Sequence, residues 1–118
     1  YTELLGNLPG LTCPTEEKNV RSVFWMFALK IDEAHFGCNR AQLLSSLKEK
    51  GIDTRPVFTP MHSQPLLKNF GIEDSHSYPI TEDIEKTGFY LPSSSNLNLE
   101  KIQRIGKTIQ DIHRELKH

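Results

Sequence analysis

The segment SVFWMFALKID, Ser22 to Asp32, is the strongest strand signal in this chain of 118 residues. It is a nearly continuous run of aromatic and aliphatic side chains, which is typical of a strand buried on both faces. We therefore expect a central strand whose aromatic residues Phe24, Trp25 and Phe27 pack in the core. The alternative is a sheet that stacks RNA bases on the same aromatic residues.

The segment that follows this strand carries complete signals for the beginning and end of a helix. Asn39 occupies the N-cap position of a predicted helix over Arg40–Lys50, Gln42 stands at the capping-box position, and Gly51 ends the helix. One apolar face is formed by Leu43, Leu44 and Leu47. This helix is expected to pack on the sheet.

Prolines shape the next segment, IDTRPVFTPMHSQPLLKNFG, residues 52–71. Its first seven residues predict a second strand, which Pro56 confines to a sheet edge because proline cannot donate to the ladder. Pro60 and Pro65 enclose MHSQ, which we predict to be a loop. PLLKNFG then predicts a short helix with proline at its first position.

The rest of the chain completes an alternating pattern of strands and helices. IEDSHS (72–77) is a polar loop, YPITEDIEKTG (78–88) a second short helix and FYL (89–91) a third strand. Asn98 caps a long helix with isoleucines at spacings of three and four. The order β-α-β-(α-α)-β-α predicts an α+β fold, a two-layer sandwich in which helices cover one face of a small, mostly antiparallel sheet.

Composition and charge limit the classes of protein to which this chain can belong. The net charge of −1 and the absence of a basic stripe argue against a nucleic-acid partner. No segment reaches the roughly 20 apolar residues that a membrane span needs, so no membrane partner is expected. Cys13 and Cys38 favour two free thiols in a reducing cytoplasm, with a disulfide as the second interpretation.

The first 19 residues contain Pro9, Gly10 and Pro14 among short apolar pairs. They predict a helix end and an extended lead-in, either a linker or the end of a preceding domain, and residues 20–118 form the domain itself. The chain begins with Tyr1 and looks like a piece of a longer protein. A processed start would look the same.

A search of the sequence for a self-contained active site finds none. Phosphate-binding glycine loops and nucleophile elbows are absent, and neither cysteine has a histidine at metal-ligand spacing. The acidic clusters and the histidines at 35, 76, 113 and 118 are predicted to be surface residues. We therefore predict no catalytic, cofactor-binding or metal-binding residue within this chain.

Three residues remain as candidates for binding: Arg55, Phe58 and His62. The rigid fork of a guanidinium matches a phosphate or carboxylate, and His62 lies in a proline-stiffened loop at a strand end, where binding residues concentrate. Alternatively, Arg55 is a surface charge on an edge strand, Phe58 a core residue and His62 a cap for neighbouring backbone.

Four segments of the chain resemble one enzyme family. GIDTRPVFTPMHSQP resembles the C-terminal signature of the DegT/DnrJ family of sugar aminotransferases, with PMH in place of the commoner PLH. NVRSVFWMFALKID, RAQLLSSLKEKGI and EKTGFYLPSSSNLNLEKIQRIGKTI agree with the family in order and spacing. The resemblance covers Val20 to Ile109, and its Trp-Met-Phe run is most similar to the perosamine-synthetase branch.

This resemblance implies a function for a longer protein. Such enzymes use pyridoxal phosphate (PLP) to transfer an amino group to a 4-keto sugar nucleotide, and their large N-terminal domain carries the cofactor lysine. The chain would be the small C-terminal domain, inert alone and without PLP of its own, with Arg55, Phe58 and His62 as substrate-binding residues. Its partner would be the large domain or a second copy of the chain.

Two other functions stay open at this point. A free-standing α+β binding or oligomerisation module is possible because function depends on sites rather than folds. Such a chain would expose the apolar face that a large domain otherwise covers, and it would form homodimers. An RNA-binding ferredoxin-like domain is the third possibility, which the missing basic stripe disfavours.

Overall fold

The computed structural model describes residues 1–71 and 76–117, and within them one antiparallel sheet carries the fold. Its strands are β1 (Leu11–Thr12), β2 (Phe27–Ile31), β3 (Arg55–Pro56) and β4 (Gly88–Leu91), in the order β1-β2-β4-β3. The inner position of β2 confirms the predicted central strand. The outer position of β3 confirms the edge placement that Pro56 predicts.

Six α-helices accompany the sheet within the described residues. They are α1 (Thr2–Leu5), α2 (Glu33–Phe36), α3 (Arg40–Glu49), α4 (Pro65–Asn69), α5 (Pro79–Thr87) and α6 (Leu99–Glu115). The four helices predicted after Ser22 are confirmed as α3 to α6. The MHSQ segment, predicted as a loop, contains a 3₁₀ turn at Met61–Ser63. The predicted loop at 72–77 lies partly, and His118 wholly, outside the described residues.

The core lies on one face of the sheet, which we call the inner face. Alternate residues of β2 and β4 point to it: Phe27, Leu29, Ile31, Phe89 and Leu91. The opposing layer comes mainly from α1, α3 and α6, through Leu5, Leu43, Leu47, Ile105, Ile109 and Ile112. This arrangement confirms the predicted α+β sandwich with its helices on one face.

Local hydrogen bonds define where the two main helices begin. The Asn39 side chain accepts from the Gln42 backbone N–H at 3.0 Å, and the Gln42 side chain accepts from the Asn39 N–H at 2.9 Å. Asn98 accepts from the Lys101 N–H at 2.9 Å. Because these caps satisfy N–H groups that lack partners inside the helix, the sequence predicts both starts correctly.

The first 19 residues join the same core. α1 buries Leu5, and β1, which the sequence did not predict, pairs with β2 and buries Leu11. Between them Gly10 has a φ of +79°, and a Cβ added there would lie 2.3 Å from the Phe36 backbone nitrogen. Only glycine allows this approach. The division of the chain at residue 19 stays a prediction about a longer protein.

The predicted burial of β2 on both faces is wrong. The strand begins at Phe27 rather than Ser22, and Trp25 is 72 % exposed while Phe24 is 39 % exposed. Phe24 has a φ of +45°, a value that takes the chain out of extended geometry. Trp25 therefore does not pack in the core, because the backbone leaves the strand before reaching it.

Candidate functional site

Three strands bring their ends together at one end of the sheet. Since β4 runs antiparallel to both β2 and β3, the starts of β2 and β3 lie beside the end of β4. The Ser93 hydroxyl donates to the Trp25 carbonyl at 3.2 Å and so joins two of these ends. Residues from distant parts of the sequence thereby become neighbours.

An aromatic cluster lies on the outer face of the sheet, opposite the core. It consists of Trp25, Phe58 and Tyr90. The Trp25 and Phe58 rings are stacked, with centroids 6.5 Å apart and planes at 21°, and the Phe58 and Tyr90 centroids are 6.1 Å apart. Phe58 is 65 % exposed, so its interpretation as a core residue is wrong.

Arg55 stands beside this cluster. Its register partner across the β3–β4 ladder is Tyr90. Its guanidinium lies 3.2 Å from the Asp53 carboxylate, and both side chains are largely exposed. An exposed pair of this kind contributes little to stability, so both groups remain able to bind a ligand.

A cleft of about 300 Å³ opens between these groups, and we call it the Trp25 cleft. Its floor and walls come from the three strand ends. They are Trp25, Met26, Asp53, Thr54, Arg55, Tyr90, Leu91, Pro92 and Ser93. The cleft thus combines aromatic walls with one carboxylate and one guanidinium.

His62 makes its contacts with α5 instead. Its Nε2 lies 3.8 Å from the Glu82 carboxylate, and its ring centroid is 4.7 Å from that of Tyr78. The Gln64 side chain donates to the Thr59 carbonyl at 2.9 Å and closes the loop that carries His62. The structure therefore groups Arg55 and Phe58 around Tyr90, whereas His62 belongs to a second group with Tyr78 and with Glu82 of α5.

Sequence reasoning did not select Tyr90, and it considered Trp25 only as one of the aromatic residues of an RNA-stacking sheet. A signal for Tyr90 exists, because strand alternation places it on the face opposite Phe89 and Leu91, which are both buried. No such signal exists for Trp25. It has the same parity as Phe27, so a regular strand would bury it.

The side chains that the structure describes include no buried nucleophile poised for chemistry. Burial raises the pKa of the Cys38 thiol, helped by the charge of Glu33, and burial also raises the pKa of Cys13. Both thiols are free, and the neutral form is a poor nucleophile. Burial likewise raises the pKa of Tyr1 to about 12.

The residues that the structure describes do not fit PLP by themselves. The cofactor requires a lysine that can attack its carbonyl, held in a sheltered pocket. The lysine side chains that the structure describes are exposed, except Lys30, which is half-buried and forms an ion pair with Asp83. Nor do three histidine, cysteine or acidic residues converge on a metal site within 1–71 and 76–117.

No helix of the described residues combines the length and the apolar content that a membrane crossing demands.

Comparison with known proteins identifies a family. A model of the DegT/DnrJ/EryC1/StrS aminotransferase family matches residues 1–110. GDP-perosamine synthase of Escherichia coli O157:H7 is 33 % identical over 98 residues, which are 83 % of this chain and 25 % of that protein. GDP-perosamine synthase of Caulobacter vibrioides is 33 % identical over 101 residues, 86 % of this chain and 26 % of that protein.

The fold agrees with this result. The structure matches the aminotransferase TlmJ from Streptoalloteichus hindustanus with a TM-score of 0.82 at 18 % identity, over 100 % of this chain and 30 % of that one. The chain thus spans about a quarter to a third of the length of the proteins it matches.

Proposed function

The chain belongs to the DegT/DnrJ/EryC1/StrS aminotransferase family, and from this premise we propose that it is the C-terminal small domain of a longer PLP-dependent sugar aminotransferase. The longer enzyme transfers an amino group, with glutamate as the donor, to a 4-keto sugar nucleotide. One observation carries the proposal: the family match spans residues 1–110, yet the chain covers only about a quarter of its relatives' length.

The substrate is proposed to be a sugar linked to guanosine diphosphate. Both relatives described above bear the name GDP-perosamine synthase, which favours this carrier over others. We place the enzyme in the cytoplasm, and the two free thiols support that location.

Substrate binding is the role of this chain in the longer enzyme. Arg55 offers an exposed guanidinium to the phosphates, and Phe58 offers an exposed ring beside it. His62 contacts the substrate from the second group of residues, where its Nε2 lies 3.8 Å from the Glu82 carboxylate. Cofactor chemistry belongs to the missing large domain, since the described lysines do not fit PLP.

The test compares the isolated chain with the longer protein that contains it. With PLP, glutamate and a GDP-linked 4-keto sugar, the longer protein should form the amino sugar while the isolated chain shows no turnover. Turnover by the chain alone would refute its proposed inertness. A longer protein without any transaminase activity would refute the assignment as a whole.

A substitution then tests the substrate role of Arg55 in the longer enzyme. Arg55→Ala should lower kcat/KM at least about tenfold, because hydrogen bonds to charged groups contribute about 1.5–3 kcal/mol. Arg114→Ala is the matched control, since Arg114 also forms an exposed ion pair, with Asp111 at 3.0 Å, but lies on α6. Equal losses in the two variants would refute a specific role for Arg55.

A second candidate function is self-association of the chain as a free-standing module. It is supported by large apolar side chains that are more than two-thirds exposed: Val23, Trp25, Met61, Phe70, Ile80 and Leu99. Such surfaces favour interaction. Light scattering over a concentration series should then show a dimer or larger species, and a monomer throughout would exclude this candidate.

A further inference from the structure

We infer that the Trp25 cleft binds the nucleotide base of the substrate, with guanine as the preferred base. This inference rests on the proposed function, because it assigns one part of a sugar nucleotide to one part of the chain. It adds Trp25, Tyr90 and Asp53 to the binding residues. The sequence analysis selected none of these three as a substrate-binding residue.

Trp25 and Tyr90 form aromatic walls of the cleft. Trp25 is 72 % exposed although its ring stacks on Phe58. Phe58 in turn contacts Tyr90, so its ring supports the two rings that line the cleft, Trp25 and Tyr90. Such a surface has the area and rigidity that a base needs for stacking, and base–aromatic stacking contributes about 1–3 kcal/mol per base.

The size of the cleft also fits a nucleotide base. Its volume of about 300 Å³ is at the lower end of the roughly 300–1,000 Å³ found for ligand sites. It suits a base with its ribose rather than a complete sugar nucleotide. The diphosphate and sugar would then extend out of the cleft toward the residues that perform the reaction.

The polar groups of the cleft favour guanine over other bases. The Asp53 carboxylate has only acceptors, and its ion pair with Arg55 at 3.2 Å leaves several lone pairs unused. Guanine presents N–H donors at N1 and N2, which an aspartate can accept together, whereas uracil offers a single N–H. Arg55 can meanwhile donate to the diphosphate or to the base edge.

The ordered backbone around the cleft also limits the conformational free energy that binding a ligand would cost. The hydrogen bond from Ser93 to the Trp25 carbonyl fixes the backbone next to the indole. Arg55 is fixed by the β3–β4 ladder opposite Tyr90. Since the backbone is already ordered around the cleft, binding spends little energy on conformational change.

Trp25 is the single tryptophan of the chain, so its fluorescence reports on the cleft directly. We would titrate the chain with GDP, with UDP and with inorganic pyrophosphate at low millimolar concentrations. GDP should quench the fluorescence and saturate, UDP should bind at least about fivefold more weakly, and pyrophosphate should give no change in the indole spectrum.

Calorimetry on variants separates the contributions of the cleft residues. Trp25→Ala should weaken GDP binding by roughly five- to a hundredfold, as removal of a base-stacking ring does. Asp53→Asn should reduce the preference of GDP over UDP. Phe70→Ala is the control, because Phe70 is equally exposed, at 73 %, but is not part of the cleft. All three substituted positions are exposed, and a circular dichroism spectrum of each variant verifies that it folds.

The outcomes distinguish this inference from the proposed function. If GDP causes no saturable change, or if Trp25→Ala binds GDP as tightly as Phe70→Ala does, the inference is wrong even where the longer protein transaminates. If GDP binds through Trp25 but the longer protein lacks transaminase activity, the base site stands and the proposed function fails. Equal affinity for GDP and UDP would overturn the preference for guanine.

Discussion

The two faces of the sheet differ sharply although the same strands build both. On the inner face Leu29 and Phe89 are 2 % and 0 % exposed, beneath α3 and α6. On the outer face, Phe58 and Trp25 are 65 % and 72 % exposed. A large apolar ring in water gives up the stabilisation of about 1.5–3 kcal/mol that burial provides.

This difference indicates what each face is for. The residues of the inner face pack within the chain itself, since they form a single core with residues of α1, α3 and α6. The outer face remains uncovered over the aromatic cluster, with a carboxylate and a guanidinium beside it. An apolar surface of this kind marks a place for a ligand or a partner, which agrees with a domain that works as part of a larger enzyme.

The largest expected effect is a loss of stability on the inner face. Phe89→Ala should lower the free energy of unfolding by about 3–5 kcal/mol, because it leaves a cavity where a fully buried ring was. Urea unfolding followed by circular dichroism measures the change. A loss below about 1 kcal/mol would contradict the assignment of Phe89 to the core.

The second effect concerns the helix that covers the inner face. Asn39→Ala should cost about 1 kcal/mol, because it removes the side-chain acceptor for the Gln42 N–H, while the bond from the Asn39 backbone N–H to the Gln42 side chain remains. Asn39→Asp is the control, since aspartate also caps helices, and it should keep most of the stability. If alanine and aspartate behave alike in urea unfolding, the cap does not stabilise α3.

A smaller effect is expected for stability on the outer face. Phe58→Ala should cost less than about 1 kcal/mol, because its ring is mostly in water and loses only the contacts with Trp25 and Tyr90. Comparison with Phe89→Ala under the same conditions tests the difference between the faces directly. Equal losses in these two phenylalanine variants would mean that something covers the outer face in solution.

The smallest expected effect is a pH dependence of folding stability, and it comes from Asp32, the residue after β2. The hydrogen bond from the His35 side chain, 2.6 Å away, lowers the pKa of Asp32 below its ordinary value of 3.8. Asp32 therefore stabilises the folded state above pH 3.8, and this contribution disappears as the pH falls through the lowered value.

An NMR titration of the Asp32 carboxyl carbon measures this prediction, and its midpoint should lie below 3.8. His35→Ala is the variant that tests the cause, and it should move the midpoint upward. A midpoint that does not move would assign the shift to the backbone N–H of Ala34, which donates to the same carboxylate at 3.0 Å.

Features that depend on neighbours in sequence were predictable. Asn39 and Asn98 fix the starts of α3 and α6 because a cap reaches an N–H only two or three residues ahead. The edge position of β3 follows from the missing N–H of Pro56. The short strand β1 was missed, since two residues give no periodic signal and its pairing with β2 spans 20 positions.

The candidate site was predictable only in part. The sequence drew attention to Arg55, Phe58 and His62, but it assigned Trp25 to the core. The positive φ of Phe24 turns the chain just before β2 begins, and this turn carries Trp25 out to Phe58. A change of backbone direction at a single residue leaves no signal in a run of apolar residues.

The sequence by itself determined the family, the helices α3 to α6, and the central and edge positions of β2 and β3, because each follows from hydrogen bonds and periodicities within a few residues or from motifs in order. Only the tertiary structure decided which face of the sheet stays bare, and that Trp25, Arg55 and Tyr90 meet at one cleft. These residues come from three strand ends, and antiparallel register, which depends on the packing of the whole core, is what brings them together.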